Sequence, residues 1–124
     1  MMLAILLTGC SGPIEHNEQL AEKRALEFAE VTLVKQDIDG GYALLTNKAK
    51  SYVPIEKFRE TISRLHPDGY PATVAAVGSQ PMKDEKAMYV NLSGENSGKH
   101  FRYTLTLNGT ATTDYKVSVV DRTL

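Results

Sequence analysis

The chain has 124 residues, a formal net charge of −1 and hydrophobic residues at 42% of its positions. This length favours one small domain that can bury a core of its own. No basic run exceeds Lys48-Ala49-Lys50, so the clustered cationic residues of a nucleic-acid-binding domain are missing and no nucleic-acid partner is predicted.

The chain begins with a short apolar segment, MMLAILLTG, that runs into the only cysteine, Cys10. A membrane-spanning helix needs about 20 apolar residues, so this segment is too short to span. A short apolar run before small residues is typical of a secretory signal, although residues 1–9 contain none of the Lys or Arg with which such a signal normally opens. A lone cysteine in an exported domain has no disulfide partner, which favours its modification.

The tetrapeptide Leu7-Thr8-Gly9-Cys10 resembles the lipobox of bacterial lipoproteins. The resemblance implies that residues 1–9 are a signal segment that is removed and that Cys10 receives lipid. Two or three acyl chains would anchor the protein firmly, because one chain alone binds a membrane only marginally. We therefore expect a location in the bacterial cell envelope, and Ser11 implies the periplasmic face of the outer membrane if the host is Gram-negative. Residues 10–17 are then the lipidated cysteine and a short tether, and residues 18–124 are the single domain.

Helices are predicted in the first half of the domain. Over residues 18–35 the apolar residues recur at steps of three and four, which indicates an amphipathic helix. The run Asp39-Gly40-Gly41 is expected to interrupt the helical pattern, and residues 42–45 to form a short second helix. Pro54 suits the first turn of a third helix, which is expected to stop at His66-Pro67 because the residue before proline avoids the α region.

Four strands are predicted in the second half. Apolar and polar residues alternate over residues 88–93, 101–107 and 115–119, and residues 73–80 are a further candidate. The connections are rich in Gly and Asn, as in Asn108-Gly109-Thr110, which is typical of hairpins between antiparallel strands. Helices followed by strands predict an α+β fold, in which the N-terminal helices pack on a bent four-stranded antiparallel meander sheet.

This order of elements resembles the nuclear transport factor 2-like, cystatin-like superfamily over residues 18–121. The step Asp39-Gly40-Gly41-Tyr42, the turn Ala43-Leu44-Leu45-Thr46 and the helix start Ile55-Glu56-Lys57-Phe58 are similar to those of small bacterial lipoproteins of this type. The resemblance implies a cone, with the helices in the concavity of the sheet, and a possible homodimer through the exposed sheet face. Catalytic members, such as ketosteroid isomerase, place acidic or His residues inside the cone, and no residue here matches those motifs.

The three histidines, His16, His66 and His100, lack the spacing of metal ligands, so neither a metal site nor another cofactor is predicted. His66 ends a predicted helix, where its ring suits the helix dipole. The functional alternative pairs His66 with Asp68 as an acid and base at the mouth of the cone.

The aromatic residues allow two interpretations. They pack in the core and across strands, or they line an apolar ligand pocket between the sheet and the helices. The pocket would contain Tyr42, Phe58, Tyr89, Phe101 and Tyr103.

The sequence contains no catalytic set: it has no Gly-x-Ser-x-Gly motif and no phosphate-binding loop. We therefore expect a non-enzymatic, membrane-anchored envelope lipoprotein that binds a partner protein or a small apolar ligand. The alternatives are an enzyme of the lyase, isomerase or hydrolase type that uses the cone interior, and a purely structural role.

Overall fold

A computed structural model describes residues 14–123 of the chain. The predicted signal segment and the predicted lipidation site, Cys10, lie outside the described residues. Residues 14–123 form an α+β fold in which four α-helices precede a four-stranded antiparallel sheet, as predicted. The helices are α1 (Glu18–Ala29), which continues into a π-helical segment (Glu30–Val34), α2 (Ile38–Ala43), α3 (Asn47–Tyr52) and α4 (Ile55–Arg64). The strands are β1 (Thr73–Pro81), β2 (Ala87–Asn96), β3 (Lys99–Thr110) and β4 (Asp114–Thr123).

Helix α1 begins at Asn17, whose side chain accepts a hydrogen bond from the amide of Leu20 at 3.0 Å. This cap satisfies one of the free amides at the helix start. The predicted helix over residues 18–35 is confirmed in extent, but its last turn is a π-helix in which Lys35 N–H donates to Glu30 O at 2.9 Å. The buried face of α1 is the predicted stripe: Ala21, Ala25, Phe28 and Ala29.

The prediction that Gly40-Gly41 interrupts the helical pattern is wrong, because both glycines lie inside α2. The Asp37 side chain starts this helix by accepting a hydrogen bond from Gly40 N–H at 2.9 Å. Gly41 packs against Thr32, and a Cβ on Gly41 would overlap the Thr32 hydroxyl. The second predicted helix, over residues 42–45, is only partly formed: residues 42 and 43 belong to α2, which ends at Ala43, and Leu45 forms a parallel bridge with Val117.

Two helices follow. Helix α3 has no counterpart among the predicted helices, although Thr46 caps it by accepting from Ala49 N–H at 3.0 Å. Helix α4 is the predicted third helix, with Pro54 at its N-cap and with Phe58 and Ile62 buried.

The sheet has the order β1-β2-β3-β4, and each neighbouring pair is antiparallel, which confirms the predicted meander. One face packs against α1 and forms the core, because successive side chains of a strand point to opposite faces. The buried sheet residues on that face are Met88, Val90, Leu92, Phe101, Tyr103, Leu105, Leu107, Tyr115 and Val117. The other face carries polar residues such as Asn91 and Thr104, whose side chains share a hydrogen bond of 3.0 Å.

The β1–β2 and β3–β4 connections lie at the same end of the sheet, which we call the hairpin end (residues 82–86 and 111–113). Residues 14–17, predicted as part of a tether, contact this end. Ala111 N–H donates to Glu15 O at 2.9 Å, and Asn17 N–H donates to the Tyr115 hydroxyl at 3.0 Å. The opposite end carries the β2–β3 turn and residues 65–72, which connect α4 to β1.

Candidate functional site

Four of the five aromatic residues predicted to line a pocket belong to the cluster between sheet and helices. Phe58, Phe101 and Tyr103 are 5%, 1% and 1% exposed, and the Tyr42 and Phe58 rings lie 5.7 Å apart. The Tyr42 hydroxyl is satisfied within the fold, since it donates to Val53 O at 2.6 Å. These contacts give the four residues a packing role, and their role toward a ligand stays a prediction.

Tyr89 does not join this cluster. It lies on the opposite face of the sheet and is 39% exposed, between the buried Met88 and Val90. The alternation of side chains along β2 places it there. Tyr89 is therefore not part of the cluster between the sheet and the helices, where the predicted pocket would lie.

His66 lies at the end of α4 and is buried, with 6% of its surface exposed. Its Nδ1 lies 2.6 Å from Ile62 O, and its Nε2 lies 2.7 Å from the Tyr103 hydroxyl. A carbonyl oxygen only accepts, so Nδ1–H donates to Ile62 and, in the neutral ring, Nε2 accepts from Tyr103. The Tyr70 ring stacks on the imidazole at 4.3 Å. Every polar atom of the ring is thus satisfied inside the protein.

Burial lowers the pKa of His66 below its ordinary value, and the nearby Arg122 charge lowers it further. Burial also raises the pKa of the Tyr103 hydroxyl well above its ordinary value. Both shifts favour the neutral pair, with the tyrosine protonated and the imidazole uncharged.

The predicted partner of His66, Asp68, bonds Arg122. The two carboxylate oxygens accept from Arg122 Nη1 and Nη2 at 2.7 and 3.0 Å. This bidentate bond lowers the pKa of Asp68 to about 2. Asp68 therefore acts on His66 only at a distance, and the acid–base role of the two residues stays a prediction.

Arg122 joins the end of β4 to the end of α4. Its side chain is only 4% exposed, its Nη1 also donates to Leu65 O at 2.7 Å, and its guanidinium lies 4.6 Å above the Phe101 ring. Its Nε is buried and finds no partner in residues 14–123. Arg122 could not be predicted from the sequence, because one arginine near the end of a strand carries no pattern that indicates burial.

A shallow groove of about 700 Å³ runs along the outer side of α1, and we call it the α1 groove. It is lined by Gln19, Glu22, Lys23, Leu26, Glu27, Glu30, Val31 and Leu44. Its floor is apolar, and Leu44 is 37% exposed. The groove lies on the side of α1 that faces away from the sheet, so it is separate from the core.

The rim of the α1 groove is acidic. Three of its lining residues are glutamates and one is a lysine. Arg24, next to the groove, is neutralised by Asp114 at 2.8 Å and Glu27 at 2.6 Å. This groove was not predicted from the sequence. One residue could have indicated an apolar outer surface, because Leu26 is an apolar residue off the buried stripe of α1.

The two remaining histidines, His16 and His100, lie away from the His66–Tyr103 pair. His16 bonds Glu85 of the hairpin end and Tyr115 at the start of β4. The His100 side chain is 75% exposed and lies 3.7 Å from the carboxylate of Glu95. Within residues 14–123 no three His, Cys, Asp or Glu side chains gather in a way that could hold a metal ion. Across the same residues no helix is long and apolar enough to cross a membrane.

Comparisons of the chain with protein-family models, with curated proteins and with solved structures found no match. The resemblance to the nuclear transport factor 2-like superfamily therefore stays a prediction.

Proposed function

We propose that this chain is a non-catalytic lipoprotein of the bacterial cell envelope, anchored through Cys10, that binds a partner protein in the α1 groove. The domain would be a nuclear transport factor 2-like cone. The observation behind the binding role is the α1 groove itself, an apolar floor with an acidic rim on the outside of the fold. The lipobox-like tetrapeptide that ends at Cys10 supports the anchor.

The shape of the α1 groove favours a protein segment over a small ligand. Small-molecule sites are concave and bury most of the ligand surface, whereas this groove is shallow and lies open along a helix. The space between sheet and helices, which would suit a small apolar ligand, is occupied by buried side chains such as Phe28 and Phe58, whose rings lie 6.2 Å apart.

The residues that line the groove indicate what kind of partner would fit it. Leu26, Val31 and Leu44 offer apolar contact, and Glu22 and Glu30 offer negative charge beside it. Complementary charges across an interface give specificity and speed association. The partner would be an envelope protein that presents apolar side chains flanked by Lys or Arg.

Capture of partners by variants tests the groove. Leu44→Ser removes apolar floor, and Glu30→Lys reverses a charge on the rim. The matched controls are Val119→Ser, at a residue 52% exposed on the outer sheet face, and Glu56→Lys, at an exposed position in the first turn of α4. Cross-linking in intact envelopes, followed by mass spectrometry, should recover a protein that both groove variants lose and both controls retain. Identical recovery by all five proteins would contradict the proposal.

The anchor has its own test. Mass spectrometry of the mature protein should find Cys10 at the N-terminus with a diacylglycerol thioether, and Cys10→Ser should leave the membrane fraction. An unmodified Cys10 behind an intact residue 1–9 segment would refute the anchor and leave the α1 groove unaffected.

The enzyme alternative has one observation in its favour, the buried His66–Tyr103 pair, since buried titratable groups are common at active sites. An enzyme would have to admit substrate to His66, which is 6% exposed. Modification by diethyl pyrocarbonate compares His66 with the exposed His100. Equal rates would favour a pocket that opens, and strong protection of His66 would favour the binding role.

A further inference from the structure

Residues 14–17 are held against the hairpin end by the imidazole of His16. Its Nε2 lies 2.9 Å from Glu85 O in the β1–β2 connection, and its Nδ1 lies 2.8 Å from the Tyr115 hydroxyl at the start of β4. Because Glu85 O only accepts, Nε2–H donates to it, and in the neutral ring Nδ1 accepts from Tyr115. One histidine thus ties the start of the described chain to both hairpins.

The backbone on either side of His16 is held as well. Ala111 N–H donates to Glu15 O at 2.9 Å, and the Tyr115 oxygen accepts from Asn17 N–H at 3.0 Å. Tyr115 is 2% exposed, so its hydroxyl is a well-positioned acceptor. The chain therefore enters the domain at a defined place on the hairpin end.

This entry point limits where Cys10 can lie. Four peptide units separate Cys10 from Ile14, and even a fully extended chain covers at most about 14 Å over that length. The twelve residues of β3 span about 40 Å from one end of the sheet to the other. A lipid anchor at Cys10 would therefore attach the domain from the side of the hairpin end, since the chain is too short to reach the opposite end.

We infer that the hairpin end is the surface that lies against the lipid headgroups, with residues 82–86 and 111–113 nearest to the membrane. The inference rests on the proposed lipid anchor at Cys10. Residues 1–9 would be removed when Cys10 becomes the lipidated N-terminus. Only the anchor and residues 11–13 would then separate this surface from the bilayer.

The composition of the hairpin end is compatible with that position. Lys83 and Lys86 balance Asp84 and Glu85, so the β1–β2 connection has no net charge to be repelled by anionic headgroups. The β3–β4 connection, Ala111-Thr112-Thr113, is uncharged. Ile14 is 38% exposed beside these connections, where it can contact the interface.

Energy transfer to a lipid dye tests the orientation. The lipoprotein is produced in a bacterium that processes lipoproteins, with one added cysteine, either Thr112→Cys at the hairpin end or His100→Cys near the opposite end. A lipidated Cys10 is alkylated, so only the added cysteine takes the donor dye. The proteins are then inserted into phosphatidylcholine vesicles that carry a headgroup-linked acceptor. We expect the donor at position 112 to lose most of its emission and the donor at position 100 to lose little.

A second variant tests the attachment of residues 14–17. Tyr115→Phe keeps the buried ring but removes the hydroxyl that bonds His16 and Asn17, so the difference between the two label positions should shrink. Tyr103→Phe removes a buried hydroxyl near the other end, and the difference should persist. Mass spectrometry of each labelled protein reports the lipid on Cys10. Absence of the lipid overturns both this inference and the proposed anchor, whereas lipid with equal transfer at the two positions overturns the orientation alone.

Discussion

The Tyr103 hydroxyl donates a hydrogen bond to Nε2 of His66 at 2.7 Å, and this bond joins the middle strand β3 to the end of α4. The other ring nitrogen of His66 donates to Ile62 O at 2.6 Å. Both groups are nearly removed from water, with 1% and 6% of their surfaces exposed. Burial therefore favours the form of the pair in which the imidazole is neutral and the tyrosine keeps its proton.

Tyr103→Phe tests this bond. The ring stays packed, but Nε2 of His66 loses its donor, and a buried group without a partner costs about 1–3 kcal/mol. Urea unfolding followed by circular dichroism should show a lower midpoint with an unchanged slope. The control is Tyr89→Phe, at a tyrosine that is 39% exposed on the outer sheet face, and loss of its hydroxyl should leave the midpoint unchanged. A Tyr103→Phe midpoint equal to the wild-type value would contradict the role of the pair.

The stability should fall in mildly acidic solution because of His66. Its pKa in the folded protein lies below the ordinary value of 6.5, so below pH 6.5 the unfolded chain binds the proton more readily. The stabilisation is therefore complete above pH 6.5 and is lost as the pH falls from there toward the folded pKa. Urea midpoints measured from pH 7.5 to pH 5 should decline for the wild type and decline less for His66→Gln. Exposed His100 provides the control: His100→Gln should follow the wild type, and parallel curves for all three proteins would refute the assignment.

Asp68 should control a second, more acidic range. Its folded pKa of about 2 lies below the ordinary 3.8 because of the bond to Arg122. Stability from this bond is present above pH 3.8 and is lost as the pH falls from 3.8 toward 2. Asp68→Asn should flatten the wild-type decline in this range and leave the change between pH 7.5 and pH 5 as it is. Asp39→Asn, at an exposed carboxylate of α2 with a long 3.8 Å contact to Arg59, serves as the control.

Gly41→Ala should destabilise the protein by about 1–3 kcal/mol, the usual effect of overpacking. A methyl group there would overlap the Thr32 hydroxyl, and Thr32 is fully buried in the π-helical segment. Gly78→Ala is the matched control, since a Cβ at that position meets nothing within 4 Å. Thermal unfolding should lower the midpoint of Gly41→Ala alone, and equal midpoints for the two variants would show that α2 does not require this close approach.

Local patterns in the sequence were sufficient for most of the architecture. The three- and four-residue spacing of α1 and α4 and the alternation in β2, β3 and β4 are each set by which side chains must face one core. The hairpin connections then made an antiparallel meander the simplest arrangement. These patterns predicted the α+β fold and the order of its strands without any knowledge of distant contacts.

The errors came where a contact between distant residues decides the local structure. Gly40 and Gly41 normally interrupt helices, but the Asp37 cap and the close approach to Thr32 keep them helical. His66 and Asp68, two residues apart, were predicted as an acid and base, and that role stays a prediction. In the folded protein His66 bonds the Tyr103 hydroxyl, and Asp68 bonds Arg122.

Tertiary structure also decided which surfaces are available for function. Four of the five aromatic residues predicted to line a pocket, Tyr42, Phe58, Phe101 and Tyr103, pack in or against the core, because a domain of this size must bury most of its large apolar side chains to be stable. The α1 groove combines residues of α1, such as Leu26, with Leu44, which follows α2 in the chain and joins the groove only in the folded domain. The attachment of residues 14–17 likewise depends on Glu85 and Tyr115, which meet His16 only after the sheet has formed, since sequence distance carries no information about such contacts.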